Sequence, residues 1–458
     1  MHYKNKDNNT TENGVIINIA TQNNSNIQYI ENNEQMNRII NINVSQNIKE
    51  IKISPDEKPF KDDDDDGRNN LIFSRINDIE ETSDNNNNKY KIIEYIKTIG
   101  DHKNKISNLF VKEINKELYI SGGDDNDLYI YHNFIIIDII NNPDHSFIES
   151  IYVNDKKKIT QIICLSKDKG KTFITELKNK NLEISKTPLH YNVKINASEI
   201  FELGKGNFKH IFYGSEGVFI INDLFNMSIE NKEIEQIKTG SYKGIIKISD
   251  NIILLIQNNF NKEDKFEFFN LSKKKPILSK NLLKGLFIKS GKDCCLIPLK
   301  ETEKMLLCPC KKYSKKIKKN ENFGILLMNI KLDEKNLHKF EFNTFLYDMP
   351  YYDVKCFCPI SNPDNYIDNI NIINYFLIGS FAYQKNTSTI KLAQIKYNDN
   401  NFLENKIEVI LNIVFDNYDF GLILKCQITC MMQTKNGYIL IAFSNGKVCL
   451  LSKPNLNL

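Results

Sequence analysis

Residues 121–132 read SGGDDNDLYIYH. Small residues lead into two aspartates and an asparagine, and a β-rich run, LYIYH, follows. Upstream, residues 116–120 (KELYI) supply a run of the same kind, and further back stands the pair Asp101–His102. Two β-rich runs around a short polar turn are a hairpin signal. The reading of the whole chain depends on whether this hairpin recurs.

It does, in pattern. The unit LYISGGDDNDLYIYH (118–132) is followed by QIICLSKDKGKTFITEL (161–177) and HIFYGSEGVFIINDL (210–224). Then come NIILLIQNNFNKEDKFEFFNLS (251–272) and KMLLCPCKKYSKKIKKNENFGILLMNI (304–330). NYFLIGSFAYQKNTSTIKLAQIKY (374–397) and GYILIAFSNGKVCLLSK (437–453) complete the set. Each has two β-rich runs around a polar or glycine-bearing turn, and two further strand candidates lie between successive units. Four strands per unit, seven times over, predict an all-β seven-bladed β-propeller over residues 91–458. The spacing is about 53 residues per unit against the usual ~40–45, with long loops in the fifth and sixth units taking the excess. The last unit lacks a fourth strand after VCLLSK. A spare run, KIIEYIKTI (91–99), precedes the first unit and would close the ring by becoming that strand, removing both open edges.

The hairpin of residues 101–132 resembles one WD repeat. Asp101–His102 stands in the place of the family's Gly-His pair, SGGDD supplies the small strand end and the turn aspartate, and Tyr131–His132 stands where Trp-Asp would. The chain has no tryptophan, so the repeats are degenerate and a propeller outside the WD family stays open. The resemblance implies a buried structural tetrad of His102, Ser121, Asp125 and Tyr131, with the carboxylate held by hydrogen bonds that make its burial tolerable. The His102–Asp125–Ser121 trio also imitates a hydrolase triad, but no G-x-S-x-G elbow is present.

Composition narrows the functional classes. Net charge is +4 over 458 residues, with 41% hydrophobic and 10% aromatic content, which allows a large core and gives no global field for nucleic acid. The only arginines are Arg38, Arg68 and Arg75. Without the arginine fork, phosphate and guanine recognition in the remainder is disfavoured. The ten cysteines suit a reduced compartment. The polar start lacks an apolar leader, and no run is long enough to span a membrane. The expected location is intracellular, cytoplasmic, with the nucleus left open. Residues 1–90, rich in asparagine and containing FKDDDDDGRNN (60–70), read as a low-complexity, mostly disordered arm. Its apolar pieces GVIINIA (14–20) and RIININV (38–44) are candidates for added strands.

Several motifs are weaker. LGKGNFKHI (203–211) imitates a kinase glycine-rich loop but has Lys209 in place of the third glycine. KGKTF (169–173) imitates the end of a P-loop, with Leu165 where the first glycine belongs. Cys308, Cys310, Cys356 and Cys358 form two i, i+2 pairs, a weak candidate for zinc beside the stronger reading as core residues. KKYSKKIKK (311–319) places Lys311, Lys312, Lys315, Lys316, Lys318 and Lys319 on one loop, a candidate docking surface. The expectation is a non-catalytic scaffold that binds other proteins, with no cofactor, no metal and no nucleic acid. The alternative is a propeller recruited to anionic or phosphoinositide membranes through residues 311–319. A propeller enzyme ranks below both.

Overall fold

The computed structural model describes residues 26–33, 36–43, 92–103, 109–125, 127–141, 146–154, 159–166, 172–178, 183–185, 195–202, 208–221, 234–258, 264–282, 285–300, 302–312, 322–333, 340–361, 375–398, 400–415 and 418–456. The chain divides into two units, Met1–Asn70 and Leu71–Leu458.

In the first unit, β1 (Asn26–Asn33) and β2 (Met36–Asn43) pair as an antiparallel hairpin. This corrects the reading of RIININV as a strand for a neighbouring sheet, because most of it lies in β2, whose partner is β1. GVIINIA lies outside the described residues.

The second unit opens with β3 (Tyr95–Asp101). Among the described residues, seven antiparallel sheets then follow in chain order. The first has β4 (Leu109–Glu113), β5 (Leu118–Gly123), β6 (Asp127–His132) and β7 (Ile135–Asn141). The second has β8 (Ser146–Asn154), β9 (Ile159–Ser166), β10 (Thr172–Lys178) and β11 (Glu183–Ser185). The third has β12 (Ile195–Glu202), β13 (Phe208–Gly214), β14 (Gly217–Ile221) and β15 (Ile234–Thr239). The fourth has β16 (Tyr242–Lys247), β17 (Ile252–Gln257), β18 (Lys265–Asn270) and β19 (Lys275–Asn281). The fifth has β20 (Leu286–Ile288), β21 (Cys295–Pro298), β22 (Glu303–Lys312), β23 (Asn322–Lys331) and β24 (Glu341–Asp348), with β20 and β21 sharing one edge of β22. The sixth has β25 (Tyr352–Ile360), β26 (Tyr375–Ala382), β27 (Thr387–Lys396) and β28 (Lys406–Ile413). The seventh has β29 (Ile428–Gln433), β30 (Ile439–Phe443) and β31 (Lys447–Leu451), preceded by a short helix α1 (Tyr418–Ile423).

The fourth strand of the seventh sheet is β3, paired antiparallel with β31. The strand begins later than the spare run suggests. Ile92 and Ile93 are buried in the core beside it instead of joining the ladder. Around the unit, β4 touches β8, β8 touches β12, and β12 touches β16. The series continues from β16 through the 3-10 turn Gly291–Asp293 to β25, then to β29, and β29 returns to β4.

The core explains why the middle strands read as continuous apolar runs. Middle strands such as β17 and β23 are buried on both faces, so alternate residues enter different cores. In β17, Leu254 and Ile256 face the fifth sheet, while Ile253 and Leu255 face the third. In β23, Leu326 and Met328 join the core toward the fourth sheet, and Ile325 and Leu327 the core toward the sixth. Where β16 meets the Gly291–Asp293 turn the backbones touch. A Cβ on Gly291 would stand 2.3 Å from the Gly244 Cα, so both positions require glycine.

The same alternation separates the two cysteine pairs. Cys308 and Cys310 lie in the core between the fourth and fifth sheets. Cys356 and Cys358 lie in the core between the sixth and seventh. A further core stands between them, so four thiolates around one ion is not what this arrangement offers. The P-loop imitation fails on conformation, since Thr172 begins strand β10 where that motif needs a helix. The glycines of LGKGNFKHI lie outside the described residues, and its end is strand β13.

Candidate functional site

The turn between β5 and β6 and the connection from β3 to β4 meet at the junction of the seventh and first sheets. The tautomer of His102 follows from its partners. The Asp125 carboxylate can only accept, so Nδ1–H donates to it, at 2.9 and 3.0 Å from the two oxygens. Nε2 then accepts from the Ser121 hydroxyl at 2.8 Å, and Ser121 Oγ accepts from the Tyr131 hydroxyl at 2.8 Å. All four residues that the WD resemblance singles out are thus on one hydrogen-bonded chain.

The chain is closed to solvent. Ser121 and Tyr131 have 0% exposure, and the His102 and Asp125 side chains 0% and 1%. Burial pushes the Tyr131 phenol well above its ordinary range. Burial, and then the neighbouring Asp125 charge, raises the Asp127 carboxyl. The His102 ring stacks on Tyr129, with centroids 3.9 Å apart. The Tyr129 hydroxyl donates to the Asp101 carbonyl, and the His102 backbone N–H donates to the Gly446 carbonyl in the β30–β31 turn. His102 therefore joins two sheets, through its backbone to the seventh and through its ring to the first. Gly100 completes the fit, because a Cβ there would fall 2.2 Å from the Tyr131 hydroxyl.

The order aspartate, histidine, serine is that of a hydrolase triad. The geometry does not supply an exposed nucleophile, since Ser121 Oγ is covered and already accepts a hydrogen bond from the Tyr131 hydroxyl. Asp125→Ala should cost about 1–3 kcal/mol by leaving the Nδ1–H of His102 buried without an acceptor. Urea denaturation measures this, and an unchanged midpoint would remove Asp125 from any structural role.

Other junctions carry polar clamps that the sequence reading missed. Asp264, fully buried just before β18, accepts from Lys243 Nζ and from the Ile288 backbone N–H at 2.9 Å. It thereby ties the fourth sheet to β20 of the fifth. Lys289 pairs with Asp353 at the start of β25 and also donates to the Val354 carbonyl at 2.8 Å. The other Asp353 oxygen takes Lys355 at 2.9 Å and the Tyr383 hydroxyl at 3.0 Å. In the sixth sheet, Ser388 donates to the Cys426 carbonyl and accepts from the Ile428 N–H, the first residue of β29. A signal for Asp264 existed. In NNFNKEDKFEFF (258–269) it occupies the turn before a β-rich run, as Asp125 does in the first unit.

Of the lysine loop, Lys311 and Lys312 form the last rungs of β22, opposite Phe323 and Asn322. Lys311 lies over the Phe323 ring at 5.3 Å. Lys315, Lys316, Lys318 and Lys319 lie outside the described residues. Among the described residues no group of three or more histidine, cysteine or acidic side chains is placed to hold a metal, and no helix is long and apolar enough to cross a membrane.

No protein-family model matches the chain, and no curated protein matches it. Among solved structures, it is similar to the crystal structure of the WD40 beta propeller domain of Doa1, with 11% identity and a TM-score of 0.43. That alignment covers 80% of this chain and 98% of the other.

Proposed function

We propose that the second unit is a seven-bladed β-propeller, WD-like with degenerate repeats, and that it serves as a non-catalytic platform for assembling other proteins. The observation that carries this reading is where the reactive side chains go. His102, Ser121, Asp125, Asp264, Lys289 and Asp353 are all engaged in holding one sheet to the next. The tetrad of the first unit is accordingly a structural device. What such a body has left to offer a partner is its loops and strand edges.

The test is capture of the tagged full-length chain after mild cross-linking, followed by mass spectrometry and sizing. The reading expects stoichiometric protein partners that survive purification. A chain that purifies alone, and hydrolyses activated esters in a manner abolished by Ser121→Ala, would replace it with an enzyme.

The membrane reading rests on the six lysines of residues 311–319. It predicts salt-sensitive binding of the full chain to phosphatidylserine-rich vesicles, at about 1 kcal/mol per lysine near the surface. Changing Lys315, Lys316, Lys318 and Lys319 to serine should remove most of that binding. Equal sedimentation of the two proteins with vesicles at low salt would leave the loop as an ordinary solvated turn.

A further inference from the structure

Strand β7 is the outer strand of the first sheet, and its sequence is IIIDIIN. Ile135 is 62% exposed, Ile137 51% and Ile139 39%. Aliphatic side chains therefore stand in water along a strand whose outer backbone edge has no strand partner among the described residues. Edges of this kind are usually guarded by lysine, proline or brevity. Four of the other outer strands carry lysine or proline and a fifth, β11, has only three residues, whereas β24 has neither and is guarded only by Glu341 and Asp348 at its two ends. Lys97 guards β3, Lys238 guards β15, Lys275 and Pro276 guard β19, and Lys406 guards β28. On β7 the sole charge is Asp138.

The strand is also held firmly in place. It follows β6 through the two-residue turn Asn133–Phe134, both in the left-handed region, and Phe134 stacks on the buried Tyr119 with centroids 5.0 Å apart. Asp138 has a specific task at the edge. Its Oδ1 accepts the Ile139 backbone N–H at 2.8 Å, so an edge donor is occupied by the strand's own carboxylate. A cation arriving opposite Asp138 would draw the carboxylate outward and free that N–H for an incoming carbonyl.

We propose that β7 receives an added strand from a partner protein, an extended segment with aliphatic side chains at alternate positions and one arginine or lysine opposite Asp138. Main-chain pairing supplies the attachment, and the isoleucines and the carboxylate supply selection. This deepens the platform reading by naming one docking edge and the chemistry of what docks there. It does not use residues 311–319.

The test uses the full-length chain and two labelled eight-residue peptides. Each has valine at alternate positions, with a central arginine in one and a central glutamate in the other. Fluorescence anisotropy should show the arginine peptide binding about tenfold more tightly, the size expected when an opposite-charge cross-strand pair replaces a like-charge one. Asp138→Lys, at an exposed position, should invert the preference. Ile139→Pro removes the edge N–H together with one exposed isoleucine and should abolish binding of both peptides, whereas Ile139→Ala removes the side chain alone and should only weaken it, with the thermal midpoint as a check on folding. Equal affinity for both peptides, or an unchanged preference in Asp138→Lys, overturns the proposal. So does hydrogen-exchange protection, in the absence of peptide, of those amides of residues 135–141 that face away from β6, which would mean that a second copy or the chain's own residues already cover the edge. Capture of partners unaffected by Ile139→Pro would retain the platform and discard this edge alone.

Discussion

Deletion of residues 1–101 should leave a chain with no folded population, whereas deletion of residues 1–91 should leave the thermal midpoint of the second unit unchanged. The difference is β3 and the short segment before it. Ile92, Ile93 and Ile99 are buried in the cores on either side of the seventh sheet. At about 1.5–3 kcal/mol each, their loss amounts to about 5–9 kcal/mol. That is comparable with the whole stability of a typical domain, about 5–15 kcal/mol. The deletion also takes away Tyr95, which stacks on Phe420 of α1, and leaves β31 as an open edge. Three hydrogen bonds between the segment before β3 and the segment after β31 go with it, Ser452 N–H to the Glu94 carbonyl, Glu94 N–H to Ser452 Oγ and Asn455 N–H to the Ile92 carbonyl. Circular dichroism and sizing of the two truncations decide the matter. A folded, monodisperse chain starting at residue 102 would show that β3 is ornamental.

Asp264→Ala should be the most destabilising single substitution among the polar residues, at about 3–5 kcal/mol. The carboxylate has no exposure, and two donors depend on it, the Lys243 ammonium and the Ile288 N–H. Without it a cation is left part-buried beside an unpaired backbone donor. The double variant Asp264→Leu with Lys243→Met should recover part of the loss, since a hydrophobic pair of similar volume often equals a buried ion pair. Asp264→Asn keeps an acceptor for Ile288 and should cost less than alanine. Guanidinium denaturation of the four proteins separates these terms. Equal midpoints for Asp264→Ala and the parent would mean that the fourth and fifth sheets are held by packing alone.

The sequence made the first junction readable and the others obscure, for a physical reason. At Asp125 the turn is short, the preceding strand end is SGG, and the partner is a histidine, which is rare enough to stand out. At Asp264 the partner is a lysine in a lysine-rich chain, where nothing in the type of residue distinguishes a buried clamp from a solvated one. Lys289 and Asp353 are 64 positions apart and meet only because two sheets are adjacent. The i, i+2 spacing of the cysteines correctly places each pair on one strand face, but a face does not say which neighbouring sheet it meets. Cys308 and Cys310 turn toward the fourth sheet and Cys356 and Cys358 toward the seventh. The middle strands of the later units were legible because strands buried on both faces need unbroken apolar runs, but the fifth sheet has five strands instead of the expected four, because the short strands β20 and β21 share one edge of β22. The exact start of β3 was not, because Ile92 and Ile93 look like strand residues yet serve the core.

Closure of the proposed ring by β3 and β31, the first and last described strands of the second unit, is the claim on which the rest depends, and a single covalent experiment tests it. Thr98 and Cys449 are register partners in the β3–β31 ladder, with Thr98 Oγ1 and Cys449 Sγ 3.6 Å apart. In full-length protein carrying Thr98→Cys, mild oxidation should join the introduced thiol to Cys449. Peptide mapping would identify the link. By chain-entropy accounting, so long a loop raises stability by about 6 kcal/mol, visible as a higher thermal midpoint. If the introduced thiol is instead freely alkylated in the folded protein, or pairs with a different cysteine, β3 and β31 do not share a sheet and the closed ring is wrong.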